Sequence, residues 1–302
     1  MDILEILNSR FAIPGQLRFQ PLGEGLVAVH ITNTHASATL CLQGGHLLSW
    51  QPASCPEPVI WMSPAAKFAP HQAIRGGIPV CWPWFGAHAS QASFPAHGFA
   101  RTQPWQVTGT RALEDGSTEI ALTLLQTGAT HVLWPHPSRL DMLLNVGNTL
   151  KIALITRNLG EEDFVIREAL HTYFQVGDIA KVSVSGLAEG AYMDKAAGGT
   201  RSQQVGAVSF SGEVDRVYVN TGSTCVIEDP GLQRRIRIAK LGSQSTVVWN
   251  PWQARAAQMG DLGPHGWRDF VCVESGNALE NAVTVTAGGS HTLAVEYSVA
   301  AM

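Results

Sequence analysis

Short runs of alternating apolar and polar residues, each closed off by Gly, Asn, Asp or Pro, limit the folds open to this chain more than anything else in it. Ile120, Leu122 and Leu124 fall on one side of such a run, and Leu150, Ile152 and Leu154 on one side of the next. Val182 with Val184, Ile236 with Ile238, and Val283 with Val285 repeat the pattern. Leu293, Val295, Tyr297 and Val299 extend it near the C-terminus. A strand turns successive side chains to opposite faces, so a period of two marks strands with one face in a core. The turn residues between the runs predict antiparallel pairing. Helical spacing shows in two places. Ile3, Ile6, Leu7 and Arg10 predict a helix closed by Pro14-Gly15. Pro251 through Met259 predicts a second short one, because Pro suits a first turn and Gln253-Ala254-Arg255-Ala256-Ala257-Gln258 are mostly helix formers.

No Pro/Ser-rich linker or charge block divides the 302 residues, and no fixed-period repeat appears. The Gly/Ala-rich stretch from Gly186 to Gly199 reads as a long turn, since strands resume on both sides of it. Thirty glycines and sixteen prolines are too many for a helical bundle. The sequence therefore predicts an all-β fold with a few short helices. It would be one domain over residues 1–302, a large antiparallel β-sandwich of two sheets packed face to face.

Twenty basic against twenty-four acidic side chains give a formal charge of -4. Without a global basic field, nucleic acid is not an expected partner, and any phosphate site must be a local cluster of Arg or Lys. The start, Met1-Asp2-Ile3-Leu4-Glu5, lacks the basic and long apolar regions of a secretory signal. No run reaches the roughly 18 apolar residues that span a bilayer. The five cysteines, Cys41, Cys55, Cys81, Cys225 and Cys272, form no CxxC pair and suit reduced thiols. The expectation is a cytoplasmic monomer with no membrane partner.

Phosphate-loop, zincin and nucleophile-elbow motifs are absent, and Gly23-Glu24-Gly25 is too short to count as a dinucleotide fingerprint. The richest stretch runs from Ile74 to Arg101. Its prolines and glycines fix irregular backbone, and its two arginines, Arg75 and Arg101, offer paired N–H donors that fit a phosphate. Each reads equally well as the partner of a carboxylate. His171, in Ala169-Leu170-His171-Thr172-Tyr173-Phe174, is a candidate proton donor, or a hydrogen-bonded core residue. Glu274 shares a strand face with Phe270 and Cys272, while Val271 and Val273 share the other. A carboxylate on so apolar a face would be desolvated and made more basic, or would simply end the strand beside Gly276. Asp215 reads as a turn carboxylate. His71, His88, His97 and His131 show no metal-ligand spacing, so neither metal nor cofactor is expected. Trp82, Trp84, Trp249, Trp252 and Trp267 offer at most one sugar-stacking platform.

Taken in order, several segments resemble the glucose-6-phosphate 1-epimerase (hexose-6-phosphate mutarotase) family of the galactose-mutarotase-like superfamily. They are Gly44-Gly45-His46-Leu47-Leu48-Ser49-Trp50, Arg75-Gly76-Gly77-Ile78-Pro79 and His97-Gly98-Phe99-Ala100-Arg101. His171-Thr172-Tyr173-Phe174, Asp215-Arg216-Val217-Tyr218, Trp249-Asn250-Pro251-Trp252 and Val271-Cys272-Val273-Glu274 follow. The resemblance implies an isomerase that exchanges the α and β anomers of a hexose 6-phosphate in a concave groove on one sheet. It places the catalytic acid on His171 and the base on Glu274, on opposite sides of a held pyranose. It places phosphate contacts on Arg75 and Arg101, and a substrate contact on Asp215, with His97 also near the sugar. Some relatives carry a polar contact where this chain has Ala96. The competing readings are an epimerase of unphosphorylated sugar, a non-catalytic sugar-phosphate module of the same fold and a cupin-like metal enzyme.

Overall fold

The longest alternating runs pair with one another. In the computed structural model, which describes residues 2–125 and 127–302, Leu150–Asn158 lies between Ser138–Val146 and Ser290–Ala301 in an antiparallel sheet of nine strands. Thr118–Leu125 and Gln106–Ala112 extend that sheet on one side. Arg234–Leu241, Cys225–Asp229, Ser183–Ser185 and Val208–Ser209 extend it on the other. Along Leu150–Asn158 every second residue is buried and the residues between are half-buried or exposed. This is the period of two read from the sequence, and each large aliphatic it buries stabilises the fold by roughly 1.5–3 kcal/mol.

A second large sheet, of eight strands, carries the shorter runs. Its order is Thr200–Gln203, Ala191–Asp194, Val214–Tyr218, Ser245–Asn250, Phe270–Asn277, Glu168–Leu170 and Val80–Cys81, with Tyr173–Gln175 also pairing on Phe270–Asn277. The two sheets share one apolar core. Across it the Phe174 and Tyr297 rings meet at 5.1 Å, and the Thr172 and Tyr297 hydroxyls hydrogen-bond at 2.7 Å. Phe270–Asn277 is buried at every position. Its two faces are covered differently, one by the nine-stranded sheet and one by the loops around a cavity. A four-stranded meander from Leu17–Leu22 to His46–Pro52 and a two-stranded pair, Phe164–Ile166 with Val283–Val285, complete the sheets.

The first helix is Ile3–Phe11, with the Asp2 N–H bonded to Glu5 Oε2 at 3.3 Å and Leu7 packed inward. The second is shorter than the sequence predicts, spanning Trp252–Ala256. Past it the turn tightens into i→i−3 bonds, Gln258 N–H to Arg255 O at 3.1 Å and Met259 N–H to Ala256 O at 2.9 Å, and the α pattern stops. The Gly186–Gly199 stretch is not a single turn. It contains the strand Ala191–Asp194, paired on both sides, and the turn that follows runs over residues 195–199, with left-handed backbone at Gly198 and Gly199. One inward tyrosine, Tyr192, anchors that strand, too little apolar pattern to read as one. Among the described residues, no helix is long and apolar enough to cross a membrane.

A second buried His–Glu pair ties the sheets together. His291 Nε2 lies 3.0 Å from Glu168 Oε1, and the Asn277 amide donates to the same oxygen at 3.2 Å. The hydrogen bond to Glu168 raises the His291 pKa above its ordinary 6.5, against the opposing effect of burial. A raised folded-state value means that the pair's contribution is complete below pH 6.5 and is lost as the pH climbs through that raised value. Thermal melting followed upward from pH 6.5 should therefore show a decline in Tm that His291→Gln flattens. Parallel profiles for the two proteins would remove His291 from that role.

Candidate active site

The site is built from adjacent rows of cross-strand neighbours. Register pairs Asp215 with Trp249, Trp249 with Cys272 and Cys272 with Tyr173. The Lys195 N–H bonds to Asp215 O at 2.8 Å and carries this row one strand further. The adjacent row joins Met193, Val217, Val247 and Glu274. Residues opposite one another in an antiparallel pair share a face, as do residues two apart along a strand. Lys195, Asp215, Trp249, Val247 and Glu274 accordingly line one cavity of about 470 Å³, with Arg75, Phe85, His97, His171, Glu213, Arg255 and Met259 around it.

His171 enters by the same register. Leu170 faces Ser275 and Tyr173 faces Cys272, so the intervening step sets His171 opposite Glu274. The ladder to Phe270–Asn277 opens at Thr172, whose N–H bonds back to Leu170 O at 2.9 Å, while on the other side the His171 N–H meets Pro79 O and the Tyr173 N–H meets Gly77 O, each at 3.0 Å. The two side chains meet with His171 Nε2 3.3 Å from Glu274 Oε1. His171 Nδ1 and Glu274 Oε2 are buried and have no protein partner. Tyr173 stacks on the imidazole at 5.0 Å and 11° between planes. Burial drives both groups toward their neutral forms. It lifts the Glu274 pKa well above the usual carboxylate range, with Lys195 opposing and Asp215 adding. It pushes His171 well below its ordinary value, and His97, Arg101 and Arg75 add to that. The pair thus competes for one proton and titrates as a unit.

Two glycine-bearing loops close the walls. A Cβ on Gly77 would stand 2.4 Å from His46 Nε2, so only glycine lets Arg75-Gly76-Gly77 pass over the meander. His46 donates from Nε2 to Gly76 O at 2.8 Å and, pushed down to about 4 by burial, stays neutral and structural. Arg75 does take a carboxylate partner, Asp261 at 3.1 Å, and it also donates to the Tyr173 hydroxyl at 2.9 Å. In the second loop His97 has a left-handed backbone (φ 66°) and accepts the Gly86 N–H at Nδ1, 3.4 Å away, so its proton is carried on Nε2. Burial and the nearby Arg101 hold its pKa at about 3. Arg101 donates to Ala96 O at 2.9 Å and is not among the residues lining the cavity.

These features are shared with known proteins. The aldose 1-epimerase family model matches residues 27–298. The chain belongs to the aldose 1-epimerase family. A relative from Escherichia coli (strain K12), provisionally named a glucose-6-phosphate 1-epimerase, is 42% identical over 253 residues, covering 83% of each chain. The solved structure of YeaD from Salmonella typhimurium, provisionally named a mutarotase, superposes with a TM-score of 0.89 at 34% identity, over the whole of both chains. A galactose mutarotase related enzyme from Lactobacillus acidophilus, at 12% identity and a TM-score of 0.72, shares the fold over 90% of this chain and 97% of its own. The chain is thus an epimerase, an isomerase acting on sugars, on a galactose-mutarotase-like β fold.

Of the residues singled out in the sequence, the structure brings His171, Glu274, Arg75, His97 and Asp215 to one cavity. His171 and Glu274 touch one another, so they do not flank a pyranose from opposite sides. Asp215 is no turn residue: it lies within the strand Val214–Tyr218, with its carboxylate 3.8 Å from Lys195 Nζ. Of the five tryptophans weighed, Trp249 lines the cavity. Among the described residues, metal-ligating donors converge at His171, Cys272 and Glu274, and His71, His88, His97 and His131 make no such cluster. Sequence reasoning misses Lys195 and Arg255. Lys195 follows the strand hidden in the Gly/Ala-rich stretch, and Arg255 reads only as a helix former.

The loop geometry is testable. A Cβ on Gly98 (φ +71°) would lie 1.9 Å from Trp82 O, a backbone atom that cannot swing aside. Gly98→Ala should cost on the order of 3 kcal/mol of stability and displace His97 and Arg101 with the loop. A melting temperature equal to wild type would show that the loop is free to move.

Proposed function

We propose that the protein interconverts the α and β anomers of D-glucose 6-phosphate and related hexose 6-phosphates, by general acid–base opening and reclosure of the ring. The contact between His171 Nε2 and Glu274 Oε1 at 3.3 Å, in the wall of a sugar-sized cavity, is the observation that supports this most. Ring opening takes a proton off the anomeric hydroxyl and puts one on the ring oxygen. Both oxygens are bonded to the same carbon, so the base and the acid must be neighbours rather than face each other across the sugar.

In this reading Glu274 removes the anomeric proton while His171 protonates the ring oxygen. The C1–O bond to the ring then breaks and the aldehyde forms. After rotation about C1–C2 the carbonyl presents its other face. Glu274 returns its proton to the carbonyl oxygen, and His171 takes back the hydroxyl proton as the ring closes. The pair holds one proton at each end of a half-reaction and merely changes which partner carries it. No cofactor is needed for that balance. Positioned acid and base groups contribute typically about 10²–10⁴-fold each, ample for a ring that water already opens slowly.

Orientation comes from the rest of the cavity. Trp249 supports a face of the sugar, Asp215 accepts from sugar hydroxyls, and His97 donates from Nε2. The phosphate lies on the cationic side, where Arg75, Lys195 and Arg255 line the wall. Arg101 reaches it by releasing Ala96 O. Binding energy from this remote group holds the ring in register with the acid–base pair.

Glu274→Gln should lower anomer exchange, read by saturation-transfer NMR, by about 10²-fold or more with the fold intact. A wild-type rate would remove Glu274 from the chemistry. Arg75→Ala and Arg101→Ala should reduce kcat/KM for glucose 6-phosphate far more than for glucose. Equal losses on the two sugars would instead favour an epimerase of unphosphorylated substrate.

A further inference from the structure

We propose that His171, Cys272 and Glu274 form a site for one borderline-soft divalent cation of the Zn²⁺ type, and that the bound ion switches the enzyme off by occupying its proton-transfer pair. One donor atom from each of the three residues lies within 4.8 Å of the other two. Zinc bonds of about 2.0–2.1 Å to nitrogen and oxygen, at a tetrahedral angle, hold those donors about 3.3 Å apart. His171 Nε2 and Glu274 Oε1 already stand 3.3 Å apart, so an ion enters between them without moving the backbone. A thiolate at about 2.3 Å from zinc needs to lie about 3.5 Å from the other donors, and the Cys272 sulfur, within 4.8 Å of both, closes any remaining gap when the ion binds.

A second observation points the same way. His171 Nδ1 and Glu274 Oε2 are buried polar atoms without a protein partner, so no competing hydrogen bond from these atoms holds either side chain, and the ion replaces the Nε2–Oε1 contact. Cys272 shares the strand face of Glu274 but lies fully buried beneath the cavity lining, two residues from Glu274 and opposite Tyr173 on the next strand. Two of the donors therefore come from one rigid central strand and the third, His171, from the two-residue opening beside it, and the cavity leaves the fourth position for water. Binding expels the thiol proton of Cys272 and the proton shared by the His–Glu pair. One thiolate and one carboxylate then balance the two charges of the ion. Two nearby cations oppose it at reduced strength, Arg75 being paired with Asp261 and Lys195 with Asp215, while the charge of Arg101 also acts on the His–Glu pair. With both lone pairs taken up, neither His171 nor Glu274 can move a proton. Mg²⁺ and Ca²⁺ prefer all-oxygen sets and should not compete.

The test uses Co²⁺ as a spectroscopic probe and Zn²⁺ in calorimetry and anomer-exchange assays. One ion per chain is expected, with a thiolate-to-cobalt charge-transfer band. Zn²⁺ should halt exchange, EDTA should restore it, and Mg²⁺ should do neither. Cys272→Ser should lose the band, weaken Zn²⁺ binding at least about tenfold and keep its exchange activity, now resistant to the ion. Cys272→Ala serves if the serine variant melts early. Cys55→Ser, at the half-exposed thiol outside this cluster, should keep the band. Absence of one-to-one binding, or a band and affinity unchanged by both Cys272 substitutions, overturns the proposal. The inhibition rests on the reaction proposed above, whereas the cobalt titration does not. A chain without exchange activity would defeat that reaction and leave the metal site to be decided by the spectrum.

Discussion

The register between residues 168–175 and Phe270–Asn277 is the constraint from which the site follows. It is constant on both sides of a two-residue opening, with Leu170 on Ser275 before it and Tyr173 on Cys272 after it. A slip of one residue would send His171 to the face that now holds Thr172, toward Tyr297 and the nine-stranded sheet. The His171–Glu274 contact and the sandwich core are therefore secured by the same hydrogen bonds. The opening itself matters too. The Thr172 N–H bonds back to Leu170 O at 2.9 Å instead of crossing to Phe270–Asn277, while the His171 N–H keeps the register with Pro79, and the imidazole lies flat against Tyr173 with its Nε2 at Glu274.

Such a pair is costly to bury. Glu274 is 1% exposed and has one carboxylate oxygen unpartnered, and the unpartnered Nδ1 of His171 is likewise buried. An apolar pair of similar size would stabilise the fold better. Local destabilisation of this kind is common where a group must exchange protons at neutral pH, and the structure offsets it nearby. Phe270, Tyr173 and Trp249 pack ring against ring at 5.1, 5.6 and 6.0 Å around the base of the cavity. The second His–Glu pair, between Glu168 and His291 of the nine-stranded sheet, shows the contrast. There the Glu168 Oε1 has two donors and the histidine pKa rises rather than falls. The two histidines are shifted in opposite directions because their hydrogen-bond partners and burial differ.

The fold is largely legible in the sequence because burial on one face leaves a period of two, and Ile120, Leu122, Leu124, Leu150, Ile152 and Leu154 all lie inward. Strands with few large side chains leave no such trace, and Ala191–Asp194 disappears into a glycine-rich stretch. Lys195 goes with it, since its place in the cavity depends on pairing with Asp215, a partner that no local pattern names. The roles of His171 and Glu274 come from resemblance, not from periodicity. Their contact follows from a register that is a property of two strands together. Arg101 is the reverse case: its motif is plain, yet its side chain is held by Ala96 O five residues back, and only three-dimensional geometry shows this.

The charges around the cavity are arranged to be borrowed. Arg75 is held by Asp261 and Tyr173, and Lys195 by Asp215 with its ammonium 5.5 Å from the Phe85 ring centre. Each pair keeps a long side chain oriented toward the cavity in the absence of ligand. Partly exposed ion pairs of this kind contribute at most about 1 kcal/mol, so they resist rearrangement little. A phosphate offers charge-assisted hydrogen bonds about twice as strong as neutral ones. If the ligand is the proposed sugar phosphate, exchanging a carboxylate partner for a phosphoryl oxygen would be favourable without refolding any strand. Asp215, released from Lys195 in that exchange, is then free to accept from a sugar hydroxyl. Anion binding at one end of the cavity would in this way prepare the hydroxyl contact beside the acid–base pair.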